Sequence, residues 1–235
     1  MQLLLTFAPD QPLVLPFNYQ HQLQSALYRK LAEVGASDFF HDSGFGNERK
    51  FKGFCFGALK GKYRVQGNKL HFESQVSLEV RSPVFAFCDH LQRSFELSPS
   101  LKLFDTGLTL ADASLTNRHL NTEQVSFLAQ TPITVYETLR DGSTYYFDPQ
   151  QEDFFVGICN NFANKYRAIT GMEPQGIMVR PAGEFKHIVT RYKDFYINAY
   201  QGPLEAKGTA RELEFFYNTG AGAKSSQGFG FLQLR

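Results

Sequence analysis

Apolar residues recur at two spacings along the chain, which together predict a mixed α+β protein. Leu23, Leu27 and Leu31 follow each other at four-residue intervals, the spacing of one helix face, and Asn18 precedes them as an expected N-cap. Elsewhere, short apolar runs bounded by Gly, Pro and Asn indicate strands. The first half is predicted to contain, in order, strand Leu3–Phe7, helix Tyr19–Val34, strands Phe51–Leu59 and Lys69–Val80, helix Pro83–Phe95 and strand Leu101–Leu115.

A similar order begins again after the polar stretch Thr116–Gln124. The predicted elements are strand Val125–Leu139, helix Phe154–Ile169, strands Gly176–Arg180 and Phe185–Tyr192, an extended segment Phe195–Tyr200, a short helix Thr209–Tyr217 and strand Phe229–Leu234. The order β-α-β-β-α-β is that of a ferredoxin-like unit. We therefore predict two tandem ferredoxin-like (RRM-like) domains, residues 1–120 and 121–235, with antiparallel sheets and helices on one face. The open face of such a sheet can present aromatic side chains to RNA.

Charge is distributed unevenly, although its formal sum is only +1. Residues 1–95 carry 11 basic and 8 acidic side chains, residues 96–153 carry 3 and 9, and residues 154–235 carry 10 and 6. From Arg49 to Lys69 there are seven basic residues and no acidic one. Such a run is either a solvated face or a patch that follows a phosphate backbone, and charge alone leaves both interpretations open.

The three cysteines, Cys55, Cys88 and Cys159, are far apart and form no C-x-x-C pair. This argues against a zinc knuckle and against a disulfide framework, and we expect neither a metal nor a cofactor. The opening segment MQLLLTFAPD has no basic n-region and too short an apolar run for a signal peptide or a membrane span. We therefore expect a cytoplasmic protein that does not enter a membrane.

Glycine is concentrated near the C-terminus, where residues 218–231 read N-T-G-A-G-A-K-S-S-Q-G-F-G-F. Glycine allows positive φ and close backbone approach, and a run of free N–H groups suits phosphate oxygens. A Walker A loop needs Gly directly before Lys-Ser, but Ala223 stands there. A dinucleotide fingerprint would want Gly or Ala at Ser225 and a βαβ unit downstream. The alternative is a tight turn into a last strand.

This glycine-rich segment resembles the terminal loop of the CRISPR-associated repeat-processing endoribonucleases, the Cas-six family of the RAMP superfamily. The matching positions are Gly220, Gly222, Gly228, Phe229 and Gly230, with Lys224 inside the loop. Other segments are similar to the family's opening helix, its catalytic region and the start of its second domain. They are, in that order, Pro16-Phe17-Asn18-Tyr19 with Leu23-Gln24 and Leu27-Tyr28, the Phe-Phe-His41-Asp42 segment with Lys52-Gly53-Phe54, and Thr131-Pro132-Ile133.

The resemblance implies a metal-independent endoribonuclease that cuts the precursor CRISPR transcript within its repeat. Matched residue by residue, it implies catalytic roles for Tyr28, His41 and Lys52. Lys50 is an alternative to Lys52, because the glycine-rich loop between His41 and Lys52 shifts easily in register. The implied partner is CRISPR repeat RNA, and further candidates are subunits of a CRISPR effector complex and a second copy of the chain.

The three residue types fit the chemistry of metal-free RNA cleavage. The ribose 2′-hydroxyl attacks the adjacent phosphorus, which gives a 5′-hydroxyl and a 2′,3′-cyclic phosphate or 3′-phosphate. A histidine can act as general acid or base near neutral pH, and a lysine can stabilise the developing charge. A tyrosine with a pKa of about 10 is a poor base at pH 7, so Tyr28 more plausibly orients the 2′-hydroxyl or His41. His21, at the start of the same helix, is a reserve candidate.

Each assignment has a structural alternative. His41 could cap the turn that follows the first helix, Tyr28 could be an ordinary packed tyrosine, and Lys52 could face water. RNA contacts are predicted for basic residues on the two strands around Ala182-Gly183 and for the glycine-rich segment, although a solvated hairpin is also compatible with the pattern. These predicted contacts are Arg180, Lys186, Arg191, Lys193, Gly220, Gly222, Lys224, Ser225, Ser226, Gln227 and Gly228.

Two other functions compete with the nuclease. One is a noncatalytic relative that holds the repeat or the mature RNA within an effector complex; it would not depend on His41. The other is an unrelated enzyme or small-molecule binding protein whose glycine-rich loop grips a phosphate. The Phe-Phe-His-Asp context of His41 favours the nuclease over the first, and the missing Walker and metal motifs disfavour the second.

Overall fold

The computed structural model describes residues 1–47, 49–192 and 194–235. Within them the chain forms four α-helices: α1 Gln20–Ala32, α2 Phe85–Leu97, α3 Glu152–Thr170 and α4 Ala210–Thr219. The strands of the first half (residues 1–120) are β1 Gln2–Pro9, β2 Leu13–Pro16, β3 Cys55–Phe56, β4 Tyr63–Gln66, β5 Lys69–Phe72, β6 Val76–Arg81, β7 Ser100–Leu103 and β8 Thr106–Thr116. Those of the second half (residues 121–235) are β9 Gln124–Ala129, β10 Tyr136–Thr138, β11 Thr144–Tyr146, β12 Met178–Pro181, β13 Lys186–Tyr192, β14 Phe195–Gln201, β15 Pro203–Lys207 and β16 Leu232–Leu234.

Both halves build their main sheet in the same order. The first half pairs its strands as β3-β6-β1-β8-β7, and the second as β12-β15-β9-β16, with every neighbouring pair antiparallel. In each half the first strand of the unit lies between the third and the fourth, which is the ferredoxin-like arrangement. The predicted fold class is therefore confirmed. Three smaller sheets are added to this frame: β2-β5-β4, β10-β11 and β13-β14.

Each half has its own hydrophobic core. In the first half, Leu3 and Leu5 of β1 meet Leu23 and Leu27 of α1, all without solvent exposure. The second core likewise collects side chains from its sheet and from α3 and α4. The helical and alternating patterns in the sequence predicted these faces because apolar burial drives both elements to pack. Leu120 already belongs to the second core, and the division of the chain after residue 120 remains a prediction.

Several predicted strands are shorter than expected, for reasons visible in the backbone. The strand predicted over residues 51–59 is reduced to β3, since Gly53 has φ +71° and ends extended pairing before it. The strand predicted over 125–139 is interrupted at Pro132, which has no N–H to donate to a sheet. Asn18 does not cap α1; the N-cap is Tyr19, with no side-chain cap hydrogen bond. The turn at Gly67-Asn68 is as predicted.

A buried arginine joins the two halves. Arg81 at the end of β6 is 2% exposed, and its guanidinium lies 3.7 Å from the ring centre of Tyr217 and 4.0 Å from that of Phe231. It donates to the Leu232 carbonyl at 2.6 Å and forms an ion pair with Glu79. Because a buried charge is costly unless paired and hydrogen-bonded, this set of contacts fixes how the halves sit together.

The cysteines behave as isolated thiols. Cys55 and Cys88 are buried, Cys159 is half-buried, and all three are free, in agreement with the sequence-based expectation. None of the helices in the part of the chain that the structure describes is long and apolar enough to cross a membrane.

Candidate active site

The tyrosine, the histidine and the lysine singled out from the sequence meet at one open pocket of about 510 Å³. We call it the catalytic pocket; it is lined by residues of α1, of the turn that follows α1, of β13 and of the glycine-rich segment. The lining side chains used below are Gln24, Tyr28, His41, Lys52, Tyr192, Ser226 and Gln227. Each half of the molecule contributes to this one pocket.

His41 is presented by a π-helical turn, Asp38–Ser43. Phe40, buried between His41 and the core, anchors the turn through an edge-to-face contact with Phe87 at 5.0 Å. The next residue, His41, therefore points away from the core and is exposed. Its ring meets that of Tyr28 edge-on, with the centroids 4.7 Å apart. π-Helical turns are rare and are found frequently at functional sites.

Asp42 orients the His41 ring. The Asp42 carboxylate oxygen Oδ1 lies 2.5 Å from His41 Nδ1, and since a carboxylate only accepts, Nδ1 is the donor. The other ring nitrogen, Nε2, is then left for proton exchange with a substrate.

Lys52 is tied to the same turn. Its ammonium group donates to the His41 carbonyl and, at 3.2 Å, to the Asp42 carbonyl. Partial burial lowers its pKa from the ordinary value, against the opposing effect of the Asp42 carboxylate. Lys50 instead donates to the Gly46 carbonyl at 2.6 Å and does not line the catalytic pocket. The geometry thus favours Lys52 over Lys50 as the lysine beside His41.

Tyr28 is held in its neutral form. Burial raises the pKa of its hydroxyl well above the ordinary value of 10, while hydrogen bonding with Gln24 and Ser226 opposes that rise. A phenol that keeps its proton at neutral pH can donate a hydrogen bond but cannot serve as the base. Gln24, one helical turn before Tyr28, also accepts a hydrogen bond from Tyr192 of β13. This hydrogen bond joins β13 of the second half to α1 of the first half at the pocket.

The glycine-rich segment forms another wall of the catalytic pocket. Its short 3₁₀ turn, Ser225–Gln227, packs against β3 and α1 of the first half. Ser226 and Gln227 line the pocket beside Tyr28. RNA contact is predicted for this segment, but the sequence does not predict its position next to Tyr28 and His41.

The glycines of this segment serve close packing. A Cβ on Gly230 would lie 1.9 Å from the Ala221 carbonyl oxygen, and one on Gly222 would lie 2.6 Å from that of Thr134. The expected free N–H groups are not found at Gly220 and Gly228, whose amides donate to the Phe216 and Ser225 carbonyls. Gly220, Gly222 and Gly228 are all buried. The expectation of amides free to bind phosphate is wrong for Gly220 and Gly228, and all three glycines serve the packing of the segment.

A buried lysine on α3 fixes the backbone of this segment. Lys165 is 5% exposed and its ammonium group donates to the carbonyls of Thr219, Gly220 and Gly222 at 3.0–3.2 Å. Three acceptors match the three donors of an ammonium group. Burial lowers the pKa of Lys165 to about 7. The buried position of Lys165 could not be predicted from the sequence, because an isolated lysine in a helix is normally a surface residue.

The predicted basic hairpin around Ala182-Gly183 does not exist as such. β12 pairs with β15 in the main sheet, whereas β13 pairs with β14 in a separate ribbon. The Ala182 amide still donates to Pro203, and the chain leaves the main sheet after it. Arg180 therefore lies in the main sheet and not beside β13, and it forms an ion pair with Glu205 of β15 at 2.5 Å.

The other predicted basic contacts follow the ribbon. Lys186 is exposed at the start of β13, and Arg191 lies 3.8 Å from Asp194 near the turn. Lys193 lies outside the described residues. Lys224, in the glycine-rich segment, places its ammonium group 5.1 Å from the ring centre of Tyr136. RNA contact by these residues remains a prediction.

Comparison with known proteins identifies the family. The sequence profile described as "CRISPR associated protein Cas6, C-terminal" matches residues 115–234, which is half of the chain. The chain belongs to the Cas6 family. The resemblance inferred from the glycine-rich segment is thus confirmed.

Two curated Cas6 relatives match nearly the full length of the chain. One, the "CRISPR-associated endoribonuclease Cas6 1" of Methanocaldococcus jannaschii, is 23% identical over 237 residues, which cover 99% of this chain and 92% of that protein. The other, the "CRISPR-associated endoribonuclease Cas6" of Pyrococcus furiosus, is 24% identical over 252 residues, with 100% and 90% covered. A solved structure of a Cas6-related protein from Pyrococcus furiosus superposes with a TM-score of 0.87 at 21% identity, over 100% of this chain and 98% of that one. It supports the same fold.

Sequence reasoning missed part of the Cas6 pocket. Asp42 was noticed only as a neighbour in the motif, although an acidic residue directly beside a candidate histidine is a usable signal. The contacts of Gln24 with Tyr28 and Tyr192 could be anticipated only in part, from the four-residue spacing between Gln24 and Tyr28. Tyr192 joins the pocket through tertiary packing alone.

No cluster of three or more His, Cys, Asp and Glu side chains suited to a metal ion is present in the three described stretches of the chain.

Proposed function

We propose that this Cas6-family chain is an endoribonuclease that cuts the precursor CRISPR transcript within its repeat. The single observation that carries the proposal is the convergence of Tyr28, His41 and Lys52 at one exposed pocket. The curated relatives that match the whole chain are named CRISPR-associated endoribonucleases, which supports the same activity. A second structure with the same fold, with a TM-score of 0.86, is described as a RAMP protein binding different RNA substrates.

The proposed reaction needs no metal. The ribose 2′-hydroxyl attacks the adjacent phosphorus, the new O2′–P bond forms, and the bond from phosphorus to the 5′-oxygen breaks. The 2′-hydroxyl loses its proton, and the leaving 5′-oxygen gains one. The products are a 2′,3′-cyclic phosphate, which hydrolysis opens to a 3′-phosphate, and a 5′-hydroxyl.

His41 is the proposed proton-transfer group. Asp42 holds its Nδ1, so Nε2 exchanges the proton with the 2′-oxygen or the 5′-oxygen. General acid–base catalysis of this kind contributes about 10²–10⁴-fold to a rate. The Lys52 ammonium group is hydrogen-bonded to the turn that carries His41, where it can stabilise the additional negative charge of the phosphorane. Tyr28 keeps its proton and positions the 2′-hydroxyl or the His41 ring.

The test uses end-labelled repeat RNA in the presence of EDTA. We expect wild-type protein to cut it at one position, and to leave uncut the same RNA with a 2′-deoxynucleotide immediately before that position. His41→Ala should cut very slowly and bind the RNA as before, while His90→Ala, on α2, should match wild type. Normal cutting by His41→Ala would refute the catalytic assignment. Binding without any cutting by wild type would favour the noncatalytic RNA-binding relative.

A further inference from the structure

A second cavity adjoins the catalytic pocket on the far side of Lys52. It has a volume of about 220 Å³ and lies between residues 49–54, helix α3 and the glycine-rich segment. Lys52, Ser226 and Gln227 line both spaces. The cavity thus adjoins the catalytic pocket across these shared side chains and is walled by both halves of the molecule.

The lining of this cavity is strongly basic. Among the described residues it contains no Asp or Glu and five basic side chains: Arg49, Lys50, Lys52, Lys165 and Lys224. Lys165, whose pKa burial lowers to about 7, is only partly charged at neutral pH. Among the described residues, none of the five forms an ion pair with a carboxylate. Positive charges gathered in a concave site without counter-charges create a field that attracts anions.

Carbonyl groups and rings hold these cations in place. Lys50 is bound by the Gly46 carbonyl, and Lys165 by three carbonyls of residues 219–222. Arg49 stacks on Phe51 with its guanidinium carbon 5.2 Å from the ring centre, and Lys224 lies over Tyr136. Carbonyls and aromatic faces orient a cation without cancelling its charge, so the positive field of the cavity is retained.

Two amide side chains in the lining each have a buried oxygen without a hydrogen-bond partner among the described residues. Asn161 on α3 is 7% exposed, and its Oδ1 makes no hydrogen bond with any described residue. The Oε1 of Gln227 is likewise buried without a hydrogen-bond partner within the described ranges. A buried polar atom left unpaired costs free energy unless a ligand satisfies it. Because a primary amide can rotate by 180°, both side chains can offer an N–H to an anionic oxygen.

We propose that this cavity binds the backbone phosphate of a nucleotide next to the cleaved linkage, and we call it the flanking-phosphate site. The inference rests on the proposed nuclease function, since it takes RNA to be the chain that runs through both spaces. Successive phosphates are one nucleotide apart along a strand, so two adjoining anion sites that share Lys52 suit consecutive linkages. Tyr136 and Phe51 add aromatic faces for the sugar or base of that nucleotide.

The test removes charge from the protein and from the RNA separately. Arg49→Gln/Lys50→Gln removes two exposed cations of the cavity that stand outside the proposed catalytic group. The RNA carries a 2′-deoxynucleotide at the cut, which prevents cleavage, and one uncharged 2′-deoxy methylphosphonate moved linkage by linkage along the repeat. The reference RNA at each position has a 2′-deoxynucleotide with a normal phosphate. Equilibrium binding is the readout.

We expect wild type to bind about tenfold more weakly when one linkage flanking the cut is neutral, as for the loss of charge-assisted hydrogen bonds. The double variant should bind unmodified RNA about tenfold more weakly and lose almost nothing further at that linkage. For the double variant, the plot of log affinity against log salt concentration should be less steep by about 0.7. An equal loss in wild type and variant at that linkage, or no sensitive linkage beside the cut, would overturn the proposal.

A matched control removes the same charge elsewhere. Lys62→Gln/Arg64→Gln takes two exposed cations from the region of β4, away from both cavities, and should keep the full sensitivity at the flanking linkage. Equal loss of coupling in this control would also contradict the proposal. Because binding is measured on uncleavable RNA, the flanking-phosphate site is decided even if unmodified repeat RNA is never cut. Thermal unfolding of both variants verifies that each is folded.

Discussion

The two halves share one strand order but elaborate it at different places. In the first half the connection from α1 to β3 is long and carries the π-helical turn with His41 and Asp42. The corresponding connection in the second half, from α3 to β12, is only residues 171–177. The second half instead elaborates the connection from α4 to β16, which is the glycine-rich segment, and adds the β13-β14 ribbon.

The repeated sheet and helices therefore determine where the segments lie, and the connections between them carry the side chains of the candidate site. The candidate catalytic side chains come from the first half, and the second half contributes the packed wall that faces them and the Tyr192 contact to α1. Function in such folds resides in what is grafted on them. Substitutions in the first-half turn should therefore change the rate of cleavage, whereas those in the second-half wall should first change stability.

Apart from His41 itself, the largest effect is expected at the lysine beside the first-half turn. Lys52→Ala should lower the single-turnover cleavage rate at saturating RNA by about 10²–10³-fold, because an electrostatic contact to the transition state is lost. Lys50→Ala, with its side chain outside the catalytic pocket, should change that rate by less than about threefold, a change below 1 kcal/mol. Rapid-quench assays measure both. A stronger defect in Lys50→Ala than in Lys52→Ala would reverse our assignment of the two lysines.

One added methyl group tests the packing of the glycine-rich segment, which is the wall that the second half contributes to the catalytic pocket. Gly230→Ala places a Cβ against the Ala221 carbonyl at φ +66° and should lower the free energy of unfolding by about 2–4 kcal/mol. Gly171→Ala is the control, since its φ is also positive but nothing lies within 4 Å, and it should cost about 1 kcal/mol. Urea unfolding compares the two. Equal stabilities would show that the wall tolerates the extra atom and that its packing is not specific.

A smaller effect is expected at the carboxylate that orients His41. Asp42→Asn keeps an acceptor for Nδ1 but removes its charge, and we expect the cleavage rate to fall about tenfold, or about 1.4 kcal/mol, without a loss of RNA affinity. Asp38→Asn, exposed at the start of the same turn, should match wild type in both measurements. If Asp42→Asn cuts as fast as wild type, the His41–Asp42 hydrogen bond plays no part in the reaction.

The sequence predicted the frame for physical reasons, whereas the catalytic roles of Tyr28, His41 and Lys52 rest on the family resemblance and remain predictions. Apolar periodicity marked α1, α3 and the central strands, since burial of those faces decides where helices and strands form. Short-range motifs carried Tyr28, His41 and Lys52. What the sequence could not predict depends on contacts between distant segments: the pairing of β13 and the packing of the glycine-rich segment against α1.

In the proposed mechanism, His41 transfers a proton during cleavage. The most direct measurement is cleavage of repeat RNA by His41→Gly with added imidazole, which can enter because the His41 side chain is exposed. We predict a rate reduced by about 10²–10⁴-fold without imidazole and restored in proportion to its concentration, but not by an aliphatic amine at the same pH. Cleavage by His41→Gly at the wild-type rate, or rescue equal with imidazole and amine, would contradict the claim.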